Sequence, residues 1–148
     1  MGFFTEEIAI DLGTANTLII HNNKVVINSP SIVAMDRSTK KIIAIGEEAK
    51  FMQGKTHENI KTIRPLKDGV IADFEASEKM ISELIKSIPT LKKRWFSPSL
   101  TMVICIPSGI TEVEMRAVKE SAERVNGKEV YLILSLIHIS EPTRLERI

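Results

Sequence analysis

The sequence predicts an α/β fold. Short apolar runs with strand character alternate with amphipathic helical stretches. One near-continuous apolar run, Leu100 to Ile106, is followed by a capped helix and then a further strand pattern. That strand–helix–strand order predicts a parallel crossover. The length, 148 residues, suits one domain large enough to bury a real core.

The elements follow in order. Glu7 to Asp11 reads as a short apolar strand, closed by the small-residue turn Gly13-Thr14-Ala15-Asn16. Thr17 to His21 and Lys24 to Asn28 read as the next two strands, joined at Asn22-Asn23, so the chain opens as a β-meander. Ser31 to Asp36 and Lys41 to Ile45 read as two more, separated by the polar turn Arg37-Ser38-Thr39. Gly46 to Gln53 reads as a short helix ending at Gly54, and Thr56 to Asp68 carries no secure regular structure. Asp73 to Ile88 is a helix whose apolar face comprises Phe74, Met80, Ile81, Leu84, Ile85 and Ile88, with Asp73 as its N-cap and Pro89 as its end. A basic, aromatic loop follows, Leu91-Lys92-Lys93-Arg94-Trp95-Phe96.

The apolar run from Leu100 to Ile106 suits a strand buried on both faces. Pro107-Ser108-Gly109 turns the chain, and Thr111 with Glu114 forms a capping box. The helix then runs to about Val125, with Val113, Ala117, Val118, Ala122 and Val125 inward and Gly127 as its stop. Glu129 to Leu134 is a last strand. The stretch from Ser135 to Ile148 breaks the pattern: it has no period and no capping logic, and it resembles read-through of a sequencing adaptor. It is expected to be an unrelated tail.

Composition excludes several classes. Lys and Arg number 20 against 19 Asp and Glu, so the large basic excess of a nucleic-acid-coating protein is absent. No apolar run approaches the roughly 18 residues that span a bilayer. Met1 to Glu7 lacks the pattern of a secretory signal, and Glu6 stands where myristoylation wants Ser or Thr. The single cysteine, Cys105, precludes an internal disulfide framework, fits a reducing compartment and reads as packing rather than a nucleophile. His21, His57 and His138 lie far apart, with no partner at metal-ligand spacing.

The segment from Asp11 to Thr17 is the strongest local signal. Small side chains at a turn between strands let backbone N–H groups approach an anion, so Gly13, Thr14, Ala15 and Asn16 can cradle phosphate. Asp11, at the end of the first strand, can hold Mg²⁺ through water. The plain alternative is a hairpin turn with Gly at a positive-φ position. Neither the P-loop pattern nor Gly-x-Gly-x-x-Gly occurs.

Asp11-Leu12-Gly13-Thr14 by itself would indicate only the wider superfamily of actin, Hsp70 and sugar kinases. Together with Asn28-Ser29-Pro30-Ser31, Gly46 to Lys50, Ile63 to Asp73 and Ile106 to Thr111, in order and at matching spacing, it resembles the MreB family of bacterial actin homologues. The resemblance covers residues 1 to about 134 and is carried most specifically by Gly69-Val70-Ile71-Ala72-Asp73. It implies an actin-like (ribonuclease H-like) first lobe: a mixed sheet with helices, plus a small inserted α+β subdomain. Residues 1–30 and 69–134 would form the core subdomain and 31–68 the insertion. It implies ATP or GTP binding with Mg, the 13–16 loop wrapping the β- and γ-phosphates and Asp11 near the metal. It also implies self-assembly into filaments on the inner face of the cytoplasmic membrane, in concert with the cell-wall elongation machinery and with no nucleic-acid partner. The chain would then be cytoplasmic and peripheral at the inner membrane, directing cell shape and cell-wall synthesis.

One departure bears on chemistry. The family carries an acidic pair after the last strand, one acid positioning the attacking water, whereas Leu134 and Ser135 stand there in this chain. No catalytic residue is therefore assigned, and ATP hydrolysis by this chain is not expected. The alternative function is a non-catalytic module that binds membrane or filament, and a phosphotransferase of the same superfamily is weaker still.

Trp95 and Phe96, beside Lys92, Lys93 and Arg94, suit a lipid headgroup boundary, where rings enter the interface and cations meet anionic lipids. The resemblance puts a membrane-insertion loop at this place, and Phe3-Phe4 would add an N-terminal anchor. The competing reading has these aromatics closing the core. Burying one Trp and one Phe yields about 3–6 kcal/mol at most. Each cation adds roughly 1 kcal/mol on an anionic surface. Stable attachment would need many linked copies.

Overall fold

The computed structural model describes residues 5–55, 57–92, 95 and 98–135. Phe3, Phe4, Lys93, Arg94, Phe96 and the tail beyond Ser135 lie outside the described residues.

Three strands open the chain: β1 (Thr5–Leu12), β2 (Asn16–His21) and β3 (Lys24–Pro30). β1 and β2 bury alternate residues, which fits a sheet with one covered face. They pair antiparallel as the expected meander, through Ile10↔Ile19 and Leu18↔Asn28. The Asn22-Asn23 turn takes positive φ at both residues, the conformation of the tightest hairpins. β9 (Ser99–Ile106) then pairs parallel with β1, and β10 (Gly127–Leu134) parallel with β9, across helix α4 (Glu112–Arg124). The result is a five-stranded mixed sheet in the order β10-β9-β1-β2-β3, with the expected parallel crossover at one end.

Helix α2 (Phe74–Lys86) and α4 cover one face. Asp73 caps α2 by accepting the Ala76 N–H at 2.9 Å. Met80, Ile81, Leu84 and Ile85 of α2 then pack with Ile8, Ile10, Leu100, Met102 and Ile104 of the sheet. Thr111 and Glu114 complete the capping box of α4.

A second, three-stranded sheet has the order β5-β4-β6, from β4 (Val33–Asp36), β5 (Ile42–Ile45) and β6 (Ile60–Ile63). Its strands share their residues between two cores. Val33 and Met35 join the main core, while Ala34 and Ala44 pack with Ile32 and with Ala49 of helix α1 (Glu47–Met52).

Five details differ from the sequence expectation. Residues 56–68 are not structureless: β6 pairs with β4, and β7 (Leu66–Lys67) forms a small hairpin with β8 (Val70–Ile71). β6 depends on a partner strand 24 or more residues away in sequence, which local periodicity does not reveal, since Asp36↔Ile60 is the nearest pairing. Pro89 does not simply end α2. The helix stops at its C-cap Ser87, and Pro89 opens a one-turn helix, α3 (Pro89–Lys92), because its fixed φ suits a first helical position. Val113 is 78% exposed rather than inward, since the five residues separating it from buried Val118 turn it about 140° around the helix. The residue with positive φ after α4 is Asn126, not Gly127. Gly127 is needed for closeness, as a Cβ there would lie 2.6 Å from the Ala122 carbonyl oxygen.

The fifth concerns β9. It buries Leu100, Met102, Ile104 and Ile106, but Thr101, Val103 and Cys105 on its other face are only half-buried. Among the described residues no helix covers that face, and Tyr131, Ile133 and Leu134 on the edge strand β10 are exposed.

Candidate functional site

The parallel strands β1, β9 and β10 end together. In sheets of this kind ligands settle outside the carboxyl ends of the strands, where backbone groups leave the ladder. A cavity of about 250 Å³ lies there, lined by Asp11 near the end of β1, Gly13 and Thr14 after it, Pro107 and Ser108 after β9, and Ser135 after β10. Asp68 and Gly69 of the β7–β8 turn close it.

The 13–16 loop is held from behind. Gly13 N–H donates to the Asn16 carbonyl at 3.1 Å, making the turn tight. Gly13 does not have positive φ, unlike Gly46, Gly54 and Gly69, so the plain hairpin-glycine reading does not hold. Its role is close approach: an ideal Cβ would lie 2.3 Å from the Asn16 carbonyl oxygen. Thr14 Oγ1 accepts the Gly69 N–H at 3.0 Å, locking the loop to the β7–β8 turn. The N–H groups of Thr14 and Ala15 have no hydrogen-bond partner among the described residues, and both residues are exposed. Two adjacent free N–H groups on a fixed loop form an anion-seeking concavity.

Asp11, at the end of β1, is exposed and lines the cavity, as does Asp68. Two carboxylates with no third ligand suit a cation that keeps most of its waters, as Mg²⁺ does. Among the described residues no group of three metal-ligating side chains occurs. The charge of Asp11 also reaches Cys105, its neighbour across the ladder. Burial first, and then that charge, push the Cys105 thiol up, so it stays protonated and is a poor nucleophile.

Asp68 and Gly69 are the site residues the sequence reading missed. The signal was present: Asp-Gly between two short apolar-ended runs is a strong hairpin mark, and both residues take positive φ. A larger groove, about 520 Å³, lies between the 39–42 turn and helices α2 and α4. Of its cations, Lys79, Lys86 and Arg124 are paired with Glu75, Glu83 and Glu78 at 2.7, 3.0 and 3.2 Å, while Lys40 and Lys41 also line it.

The second candidate region lies at the opposite end of α2. Trp95 is 94% exposed and does not close the core. α3, just before it, is anchored through a buried histidine. His21 Nδ1 bonds Thr90 Oγ1 at 3.0 Å, and its Nε2 bonds the Glu6 carboxylate. Leu91 adds an apolar contact to the main core. No described helix is long and apolar enough to cross a membrane.

Comparison with known proteins fits this architecture. A family model described as "MreB/Mbl protein" matches residues 5–138. The cell shape-determining protein Mbl of Bacillus subtilis is 50% identical over 130 residues, 87% of this chain and 38% of that protein. The cell shape-determining protein MreB of Escherichia coli K12 is 47% identical over 137 residues, 89% of this chain and 39% of that protein. Among solved structures, MreB 5 of Spiroplasma citri bound to AMPPNP superposes with a TM-score of 0.69 at 38% identity, covering 86% of this chain and 38% of that one. The chain thus spans somewhat over a third of the length of these relatives, in the actin-like fold. The chain belongs to the MreB/Mbl family of cell shape-determining, actin-like proteins.

Proposed function

We propose that this chain is the nucleotide-binding front portion of a filament-forming, membrane-associated MreB-type protein that directs cell shape and cell-wall synthesis. The observation that carries the nucleotide part is the fixed 13–16 loop, with two unpartnered N–H groups beside the Asp11–Asp68 cavity. The N–H groups of Thr14 and Ala15 bind phosphate oxygens, and Gly13 and Asn16 shape the turn that presents them. Asp11, with Asp68, would hold Mg²⁺ through water, and the ion would supply positive charge against the phosphates. The 38%-identical Spiroplasma protein, bound to AMPPNP, supports ATP or its analogues as the ligand class.

Hydrolysis is a separate matter. Ser135 lines the cavity just past β10, where the family resemblance calls for an acid. A hydroxyl is a poor proton acceptor at neutral pH and does not polarise a water as a carboxylate does. The chain therefore binds Mg·ATP without turnover. Calorimetry with Mg·ATP tests this: Asp11→Asn should weaken binding about tenfold. A turnover rate that Asp11→Ala abolishes would sink the non-catalytic part.

We also assign Trp95 to the membrane, on the cytoplasmic face. Its exposure beside Lys92 supports a ring free to enter a headgroup layer. In this reading residues 31–68 act as the small outer subdomain, and partners are further copies of the chain and the wall-elongation machinery. Co-sedimentation with anionic vesicles, with and without Trp95→Ala, tests the membrane assignment.

A further inference from the structure

Ser31 follows β3, is fully buried, and opens the excursion into the three-stranded sheet. It makes three hydrogen bonds, all to the segment that carries the phosphate loop. Its N–H donates to the Ala15 carbonyl at 2.8 Å. Its hydroxyl donates to the Gly13 carbonyl at 2.6 Å. The same hydroxyl bonds Thr17 Oγ1 at 2.9 Å. Ser31 has one hydroxyl proton and gives it to Gly13, so Thr17 must be the donor in that last bond. The order is Thr17 O–H to Ser31 O–H to Gly13 C=O, a short chain in which each bond strengthens the next.

The consequence follows from peptide geometry. In a planar trans peptide the C=O of one residue and the N–H of the next point in opposite directions. Drawing the Gly13 carbonyl toward Ser31 therefore turns the Thr14 N–H away from it, and drawing in the Ala15 carbonyl does the same for Asn16. One buried side chain and its own N–H thus set two peptide planes of the loop. Small residues make such a loop mobile by default, because few side-chain contacts fix it.

We propose that Ser31 is the positioning residue of the phosphate loop: it holds the Gly13 and Ala15 carbonyls inward, which turns the Thr14 and Asn16 N–H groups outward and the Thr14 N–H toward the phosphate. The proposal deepens the nucleotide reading above and rests on it for its ligand.

The test compares Ser31→Ala with Thr17→Val. The second removes a buried hydroxyl from the same chain of bonds but leaves the Ser31–Gly13 bond in place. Without ligand, ¹⁵N order parameters at Thr14 and Asn16 should be about 0.85 in the unsubstituted chain and in Thr17→Val, and below about 0.6 in Ser31→Ala. With Mg·ATP, the dissociation constant should rise about tenfold in Ser31→Ala and less than about threefold in Thr17→Val. A rigid loop and unchanged affinity in Ser31→Ala overturn the proposal, and so does an equal loss in both variants. If Mg·ATP binds none of the proteins while the loop dynamics differ as stated, the nucleotide reading fails and the positioning role stands. Should Ser31→Ala not fold, Ser31→Cys gives the same comparison, with similar shape and a weak donor. In the unsubstituted chain the Ser31 amide must exchange as slowly as those of β2, and fast exchange also overturns the proposal.

Discussion

The phosphate loop and the Trp95 region are built in opposite ways. In the first, the groups proposed to bind are backbone N–H donors, and the side chains serve by being small or by holding carbonyls from behind. In the second, the group proposed to bind is a side chain almost wholly in solvent, and the fold supplies only a place to stand. The difference sets what each region tolerates. A loop that works through its backbone fails when any atom intrudes. A surface that works through an exposed ring loses function with its fold intact.

The sharpest way to break this contrast is Gly13→Ala. The added Cβ meets the Asn16 carbonyl oxygen at 2.3 Å, a backbone atom that gives way only if the turn opens. Urea unfolding should show a loss of about 2–3 kcal/mol, with Mg·ATP binding abolished. Full stability and affinity in that variant would remove the close-approach argument.

His21→Ala comes next. It deletes a buried ring that joins Glu6 on β1 to Thr90 on α3. The expected cost is about 2 kcal/mol, measured by denaturant titration. The loss should be accompanied by faster amide exchange in α3 than in β2. That result would sharpen the comparison, because the Trp95 region takes its rigidity from a buried polar contact rather than from its own packing.

Trp95→Ala should leave stability within about 0.5 kcal/mol, as the ring buries almost nothing. Binding to anionic vesicles should fall severalfold. A stability loss above about 1 kcal/mol would return Trp95 to the core and erase the contrast.

The smallest effect belongs to a third turn, which is organised by a side chain. Asp36 accepts from Ser38 Oγ and from the Ser38 and Thr39 N–H groups at 2.6–2.9 Å. The Ser38 hydroxyl first, then the Thr39 N–H, lower its carboxyl from 3.8 to about 2. A depressed carboxylate stabilises the fold above its unfolded value, and that contribution is lost as pH falls from about 4 toward 2. An NMR titration should place the Asp36 midpoint near 2, and Ser38→Ala should move it upward.

The same contrast governs what was legible in the sequence. The Asp11-to-Thr17 turn was readable because small residues between two strands have few other uses. The meander, the parallel crossover and both caps were readable for the same local reason: their signals lie within a few residues of one another. β6 was not, because its ladder is to β4 across more than twenty residues. Ser31 was quoted within a motif, but its work lies in bonds to Gly13, 18 positions back in the chain. The half-open face of β9 was hidden too, since an apolar run looks the same whether one or both faces are covered.

The central claim is that the loop's backbone holds nucleotide phosphates. The most direct test is a ¹⁵N-amide titration of the chain with Mg·ATP into the millimolar range. The account predicts that Thr14 and Ala15 shift most, with Gly69 following through its bond to Thr14. Shifts confined to the groove beside Lys79 and Lys86, or no shift at the loop at all, would contradict it.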